Sequence, residues 1–185
     1  AITPTSPYSI SKGAFDLHLQ ALSDRLPPWN IIRPSNAYCS GQQLHRVIPK
    51  ALLAGLTGRR FQLQGGGKAK KSYIDAHDLS RAILMICQKG TRGEIYNVGP
   101  NDPVSIRQVV EIAATYAGRA FDDFIDNSPA RFGEDRQYWI NSEKVRALGW
   151  TPETSLKAGI GKVFEWVRDN KEQLARMPTE FQIRP

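Results

Sequence analysis

The chain has 185 residues, which is long enough to bury the hydrophobic core of one domain. Hydrophobic residues make up 41% of it and charged residues 23%, as is usual for a soluble globular protein. Because no apolar run has the length of a membrane span, we expect no membrane partner. The net charge of +7 favours an anionic partner, which on charge alone is either nucleic acid or a nucleotide diphosphate.

The cysteines and histidines do not indicate a metal site. Cys39 and Cys87 are the only two cysteines, and they lack the spacing of metal ligands. We therefore expect both to be small buried side chains in a protein of the reducing cytoplasm. The three histidines share no ligand spacing either, so we predict that no metal is bound.

The first predicted element is a helix that begins at Ser6 and Pro7. Ser at the N-cap followed by Pro at the first helical position is a typical helix start, and apolar residues then recur at helical spacing to about Leu26. Tyr8 and Lys12 are four residues apart and so project from one face of this helix. An ammonium group beside a phenol favours the phenolate, which makes the pair a candidate for proton transfer.

Farther along the chain, short strands alternate with helices, which predicts an α/β fold. The predicted strands are 29–33, 61–64, 73–75 and 95–98. The predicted helices are 44–56, 78–90 with Asp78 as its N-cap, 105–118 behind a Ser105–Gln108 capping box, 142–148 and 155–170. We expect a loop over 34–38, irregular structure with short strands over 121–140, and a loosely held tail from Lys171.

Seven stretches occur in an order and spacing that resemble one enzyme family. They are P-T-S-P-Y-S-I-S-K (4–12), I-I-R-P-S-N-A-Y (31–38), L-H-R-V-I-P (44–49), G-G-G-K-A-K-K-S-Y-I-D-A-H-D-L-S-R-A (65–82), E-I-Y-N-V-G (94–99), R-F-G-E-D-R-Q-Y (131–138) and A-L-G-W-T-P (147–152). The chain resembles the extended short-chain dehydrogenase/reductases. Among them it is most similar to the NAD-dependent nucleotide-sugar 4,6-dehydratases and 4-epimerases, and the dTDP-glucose 4,6-dehydratases are the nearest pattern.

This resemblance implies the carboxyl-terminal portion of an extended short-chain dehydrogenase/reductase, with part of a Rossmann-type sheet and the smaller substrate domain. Residues 1–38 would end the Rossmann-type domain, 39–170 would mainly bind substrate, with some segments returning to the sheet, and 171–185 would be a tail. An amino-terminal half with the glycine-rich turn for the NAD pyrophosphate would come before this chain. The resemblance also implies a homodimer formed through the first helix.

The resemblance also implies roles for individual residues. Tyr8 would exchange a proton with the sugar 4-hydroxyl, and Lys12 would hold the nicotinamide ribose of NAD. The resemblance further implies that Tyr8 and Ser35 contact NAD and that Asn36, Arg46, Lys71 and Arg131 contact the nucleotide sugar.

Two positions depart from the family pattern, and one glycine-rich run does not match the P-loop motif that it resembles. Lys71 stands where arginine is common, so it would act as a point charge without the bidentate fork of a guanidinium. Glu134 stands where histidine is common. The run Gly65–Lys68 is not a phosphate-binding P-loop, because Ala69 follows the lysine where Ser or Thr is required.

The sequence leaves the reaction open between two members of the family. A 4,6-dehydratase oxidises C4, eliminates water across C5 and C6 and returns the hydride to C6, whereas a 4-epimerase returns it to the other face of C4. We favour the dehydratase because 131–138 and 147–152 follow its pattern. The alternatives of another kind are a non-catalytic basic module that binds polyanions, which the charge and the lysines at 68–71 suggest, and an inactive relative kept as a scaffold.

Overall fold

The computed structural model describes residues 6–130 and 137–181, and its helices and short strands confirm the predicted α/β class. The helices are α1 Pro7–Ala21, α2 Val47–Leu56, α3 Ala76–Lys89, α4 Ile106–Tyr116, α5 Phe121–Phe124, α6 Glu143–Ala147, α7 Leu156–Asp169 and α8 Lys171–Leu174. The strands are β1 Ile31–Pro34, β2 Asn36–Tyr38, β3 Phe61–Gln64, β4 Lys70–Lys71, β5 Tyr73–Asp75, β6 Ile95–Val98, β7 Val104–Ser105, β8 Ile125–Ser128 and β9 Gln137–Tyr138.

The strands form small sheets in which parallel pairing dominates. β1 pairs with β6, β2 with β5 and β3 with β8, all of them parallel. β4 lies between β7, to which it is antiparallel, and β9, to which it is parallel. Because parallel strands end at the same edge of a sheet, the residues that follow β1 and β6, Ser35 and Gly99, come together there.

The described residues bury two hydrophobic clusters. The larger one lies among α2, α4 and α7, with side chains of β3 and β8 against it, and it includes Leu52, Val110 and Ile160. The smaller one packs α3 against β6 and α6 around Ile86 and the fully buried Trp150. Within the described ranges, no helix has the length and apolar character needed to cross a membrane.

α1 has the predicted start but an unusual environment. Ser6 is its N-cap, and Ser6 and Ser9 form a capping box in which the Ser6 hydroxyl accepts a hydrogen bond from the Ser9 backbone N–H at 3.2 Å. The helix ends at Ala21, and a short 3₁₀ turn follows it, so the predicted end near Leu26 was wrong. None of the α1 residues is buried.

The prediction of a loop over 34–38 was wrong, because Asn36–Tyr38 form β2. The Asn36 backbone N–H donates to the Ser72 carbonyl at 3.0 Å, and Asn36, Ala37 and Tyr38 then pair with β5. This strand depends on a partner far along the chain, so no local pattern indicates it.

The N-cap of α3 is Asp75, not Asp78 as predicted. The Asp75 carboxylate accepts a hydrogen bond from the His77 backbone N–H at 2.8 Å, which starts the helix three residues earlier. Asp78 lies inside the helix and is buried. The helix predicted over 44–56 likewise begins only at Val47.

Two further predictions were wrong. The tail from Lys171 continues as α8, and Leu174 anchors it in the larger hydrophobic cluster. Cys39 and Cys87 are free and exposed rather than buried. Cys39 directly follows β2, and Cys87 lies off the buried side of α3, which carries Ala82 and Ile86.

Candidate active site

The Tyr8–Lys12 pair lies in the first turns of α1, where the capping box fixes the helix start. The Lys12 ammonium nitrogen lies 5.6 Å from the centroid of the Tyr8 ring, within the range of a cation–π contact. Tyr8 is 72% exposed, so its hydroxyl is open to a ligand. The structure therefore brings together the two residues that the sequence predicts for proton transfer.

An ion pair connects this face of α1 to the sheet. Asp16 is four residues beyond Lys12, so Tyr8, Lys12 and Asp16 share one side of the helix. The Arg33 guanidinium of β1 binds the Asp16 carboxylate with two nitrogens, of which Nε lies 3.1 Å from Oδ2. Sequence reasoning missed this pair, although the spacing of four from Lys12 was visible.

The end of β1 holds a buried hydroxyl group without a partner. Ser35 is 5% exposed, and its Oγ has no hydrogen-bond partner among the described residues. A Cβ atom on Gly99 would lie 2.5 Å from that Oγ, so only glycine fits there. Ser142 fixes the Gly99 backbone, since its hydroxyl donates to the Gly99 carbonyl at 2.6 Å and accepts from the Gly99 N–H at 3.0 Å.

Buried hydroxyl groups are normally paired, so the free Ser35 Oγ is suited to a group that a ligand supplies. The sequence predicts a cofactor contact at Ser35 but not the roles of Gly99 and Ser142. The one available signal was the glycine that ends the E-I-Y-N-V-G stretch directly after β6.

The Asn36 side chain is hydrogen-bonded to the residue that follows Lys71. The Asn36 side-chain amide donates to the Ser72 carbonyl at 3.1 Å, and Ser72 directly follows Lys71 in the chain. This bond uses one amide hydrogen and leaves the other, together with the amide oxygen, for a ligand. Lys71 is half-buried in β4, where its Cα lies opposite those of Val104 and Tyr138.

Arg46 is the N-cap residue of α2. It lines a cavity of about 470 Å³, and Lys71 is not one of the described residues around it. Its lining residues come from the start of α2 and the two residues before it, from β3, from the start of α4 and from the end of the described chain; the polar and aromatic ones are His45, Arg46, Lys50, Phe61, Gln62, Gln64, Glu180 and Phe181. Sequence reasoning found only Arg46 among them.

Arg131, the remaining predicted substrate contact, lies outside the described residues, as does Glu134. The part of the chain that the structure describes contains no group of three or more His, Cys, Asp or Glu side chains arranged to hold a metal ion.

Tyr38, a buried residue of β2, has a pKa shifted far from its ordinary value. Burial, together with the nearby charges of Asp75 and Asp78, raises the pKa of Tyr38 well above its ordinary value. This hydroxyl therefore stays protonated and is not suited to act as a base.

Residues 1–99 match the sequence model of the NAD dependent epimerase/dehydratase family. The dTDP-D-glucose 4,6-dehydratase of Homo sapiens is 34% identical in an alignment of 173 positions, which covers 90% of this chain and 49% of that protein. The crystal structure of dTDP-glucose 4,6-dehydratase from Bacillus anthracis str. Ames in complex with NAD matches with a TM-score of 0.85 and 31% identity, over 92% of this chain and 54% of that one.

A solved UDP-glucose 4-epimerase is also similar. The enzyme of Thermus thermophilus, in complex with NAD, matches with a TM-score of 0.81 and 26% identity, over 90% of this chain and 55% of that one. The chain spans about half the length of the curated relatives it matches.

The parallel strand pairs and the helix with Tyr8 and Lys12 ahead of them define an α/β chain of the Rossmann-type short-chain dehydrogenase/reductase class. Within that class, the chain belongs to the NAD dependent epimerase/dehydratase family. The resemblance noted from the sequence motifs is thereby confirmed.

Proposed function

We propose that this chain forms the substrate-side part of an NAD-dependent nucleotide-sugar 4,6-dehydratase of the dTDP-glucose 4,6-dehydratase type. The observation that carries the proposal is the Tyr8–Lys12 face of α1, which the Asp16–Arg33 ion pair joins to the strand that ends at Ser35. The similarity to dehydratases from Homo sapiens and Bacillus anthracis supports the choice of reaction.

In this proposal, Tyr8 accepts the proton of the sugar 4-hydroxyl while C4 is oxidised to a ketone, and the Lys12 ammonium lies 5.6 Å from the centroid of the Tyr8 ring. NAD, when bound, would supply the hydride acceptor for the oxidation of C4 and the hydride donor for C6. Water leaves across C5 and C6 between these two steps. Tyr8, Lys12 and the Ser35 hydroxyl hold the nicotinamide end of NAD. The Ser35 Oγ supports this assignment, because it is buried and has no hydrogen-bond partner among the described residues.

We also propose Asn36, Arg46, Lys71 and Arg131 as contacts of the nucleotide sugar. Three of them have support in the structure: Asn36 is hydrogen-bonded to Ser72, the residue after Lys71, and Arg46 lines a cavity large enough for part of a nucleotide. In the whole enzyme, an amino-terminal nucleotide-binding half and a second subunit on α1 are the proposed protein partners. The cytoplasm is the proposed setting, and the two free thiols support it.

The test is Tyr8→Phe in the full-length enzyme. The phenol hydroxyl is required only for proton transfer, so we expect kcat to fall by roughly 10²–10⁴-fold while the affinity for the sugar nucleotide is kept. Tyr116→Phe is the matched control, because the Tyr116 hydroxyl donates to the Lys157 carbonyl between α4 and α7 and takes no part in the proposed site. A Tyr8→Phe enzyme that retains most of its kcat would remove Tyr8 from the mechanism.

A nucleotide-sugar 4-epimerase is the second candidate, and the similarity to the Thermus thermophilus 4-epimerase supports it. The two reactions give different products from the same substrate. Incubation of the full-length enzyme with dTDP-glucose and with UDP-glucose distinguishes them, because a dehydratase forms a 4-keto-6-deoxy sugar and an epimerase forms the C4 epimer. Conversion of either substrate to its C4 epimer alone would replace our proposal by the second candidate.

A further inference from the structure

We propose that Thr179–Phe181, which we call the C-terminal strap, forms one wall of the nucleotide pocket and that Phe181 stacks on the nucleobase. The inference rests on the proposed function, since it takes the cavity around Arg46 to be the nucleotide site. It adds to that function a base contact from the opposite end of the chain.

Two contacts place the strap on the start of α2. The Lys50 ammonium nitrogen lies 2.5 Å from Oε1 of Glu180. The rings of His45 and Phe181 meet edge to face, with centroids 5.3 Å apart and an angle of 70° between their planes. His45, Lys50, Glu180 and Phe181 all line the cavity of about 470 Å³, so the strap is part of its wall.

The chemistry of this cavity suits a nucleobase. β3 alternates buried Phe61 and Leu63 with exposed Gln62 and Gln64, and both glutamine side chains line the cavity. Their amides offer hydrogen-bond donors and acceptors of the kind that the edge of a base requires. Phe181 remains 70% exposed despite its contact with His45, so most of the ring is available to a flat ligand.

The strap fits a base better than a phosphate group. Glu180 places a carboxylate on this side of the cavity, and it would repel the phosphates. The phosphates would instead bind the guanidinium of Arg46, the N-cap residue of α2, which also lines the cavity. Stacking on an aromatic ring tolerates any base, so the strap would add affinity and the glutamines would add selectivity.

Glu180 is a positioning residue in this proposal and does not touch the base. Its side chain is 74% exposed and that of Lys50 is 27% exposed, so the ion pair is weak and acts mainly to hold the strap in place. Removal of the Glu180 carboxylate should therefore weaken nucleotide binding only because Phe181 is held less firmly.

The experiment is calorimetric titration of the full 185-residue chain with dTDP. Phe181→Ala should weaken binding by about fivefold or more, because base–aromatic stacking is lost. Phe181→Trp should bind at least as tightly as the wild type, and Phe181→Leu should fall between the wild type and Phe181→Ala. Phe15→Ala is the matched control, since Phe15 is another exposed phenylalanine, on α1.

Glu180→Gln should weaken dTDP binding by about two- to threefold, as expected for loss of an exposed ion pair. The double variant Glu180→Gln/Phe181→Ala should bind no more weakly than Phe181→Ala alone, because Glu180 acts through Phe181. Additive losses would contradict that positioning role. If Arg46→Ala weakens dTDP binding while Phe181→Ala does not, or if Leu replaces Phe without loss, the strap proposal is wrong and the nucleotide site stands. If the wild-type chain does not bind dTDP, both the strap proposal and the assignment of this cavity as the nucleotide site are wrong.

Discussion

α1 is held to the sheet by the ion pair between Asp16 and Arg33, whereas the other long helices are held by buried side chains. α2, α3, α4 and α7 each bury several side chains, whereas α1 buries none. The Asp16 carboxylate is largely shielded, at 14% exposed, where it binds Arg33. Because Asp16 lies on the side of the helix that carries Tyr8 and Lys12, this ion pair also sets the direction in which those two residues point.

We predict that Asp16→Ala loosens α1 without unfolding the rest of the chain. A two-nitrogen ion pair of this exposure contributes about 1 kcal/mol, which corresponds to roughly fivefold faster amide exchange. Hydrogen exchange should therefore accelerate in α1 and stay unchanged in α4. Glu111→Ala is the control, because it removes an exposed ion pair with Arg107 on α4. Equal exchange of α1 in the wild type and the Asp16 variant would show that other contacts hold the helix.

Asp78 is a buried carboxylate that fastens α3 to the segment before α7. Its Oδ2 accepts backbone N–H bonds from Thr154 at 2.8 Å and from Glu153 at 3.1 Å, and Arg81 donates to its Oδ1 at 2.9 Å. Burial by itself would raise the pKa of Asp78, but these hydrogen bonds outweigh it, so the pKa lies below its ordinary value.

We predict that Asp78→Asn lowers the free energy of unfolding by roughly 1.5–3 kcal/mol at pH 7. Because the folded-state pKa is the lower one, the carboxylate stabilises the fold fully above the unfolded-state value of about 3.9, and this stability is lost as the pH falls through the folded-state pKa. In urea unfolding, the difference in the free energy of unfolding between wild type and variant should thus be large at pH 7 and should decrease below about pH 4.

The control for this comparison is Asp169→Asn, which removes an exposed partner of Arg168 and should leave stability almost unchanged. A gap that stays constant from neutral to acidic pH would mean that the charge of Asp78 does not contribute to stability.

At the level of elements, the sequence predicts what local chemistry decides. The Ser105–Gln108 capping box opens α4 as predicted, because both of its hydrogen bonds join residues three positions apart. The N-cap of α3 was misplaced because Asp75 and Asp78 are both acceptable caps. Tertiary contacts of Asp78 with Glu153 and Thr154, remote in sequence, decide between them.

In the candidate site, too, local features could be predicted from the sequence and tertiary contacts could not. The Tyr8–Lys12 pair follows from helical spacing, and Lys12 does lie beside the Tyr8 ring. The hydrogen bond from Asn36 to Ser72, the residue after Lys71, depends on the pairing of β2 with β5, which no local pattern reveals. The contact between Lys50 and Glu180 joins residues 130 positions apart, so the sequence could not indicate that the tail reaches this cavity.

At Gly159, α7 lies directly against Tyr38 of β2. A Cβ atom at this position would lie 2.1 Å from the hydroxyl oxygen of Tyr38, which is itself buried. Gly→Ala in a helix normally stabilises it by about 1 kcal/mol, whereas overpacking of a tight core costs about 1–3 kcal/mol.

We predict that the clash with Tyr38 outweighs the gain in helix propensity, so that Gly159→Ala lowers the thermal midpoint of unfolding. Lys157→Ala, an exposed substitution on the same helix, is the control and should leave the midpoint nearly unchanged. An unchanged or higher midpoint for Gly159→Ala would show that Tyr38 moves aside at little cost.

At the level of the whole molecule, α1 is apolar on two opposite sides. Tyr8 and Phe15 lie on one side and Ile10 and Leu17 on the other, since neighbouring residues are about 100° apart around a helix. All four side chains are exposed. A helix with two apolar sides is typical of an element packed between two layers. This agrees with the two protein partners proposed for α1, a nucleotide-binding half on one side and a second subunit on the other.

The last prediction concerns NAD and the isolated chain. The residues proposed for the nicotinamide end, Tyr8, Lys12 and Ser35, are present, but the sequence contains no G-x-G-x-x-G turn. In Rossmann-type domains that turn and the helix after it bind the pyrophosphate, which supplies much of the affinity. We therefore expect calorimetry on the 185-residue chain to show no micromolar binding of NAD, while dTDP binds in the same sample through the cavity around Arg46. Micromolar NAD binding by this chain would mean that the pyrophosphate site lies within these residues and that our placement of the cofactor is wrong.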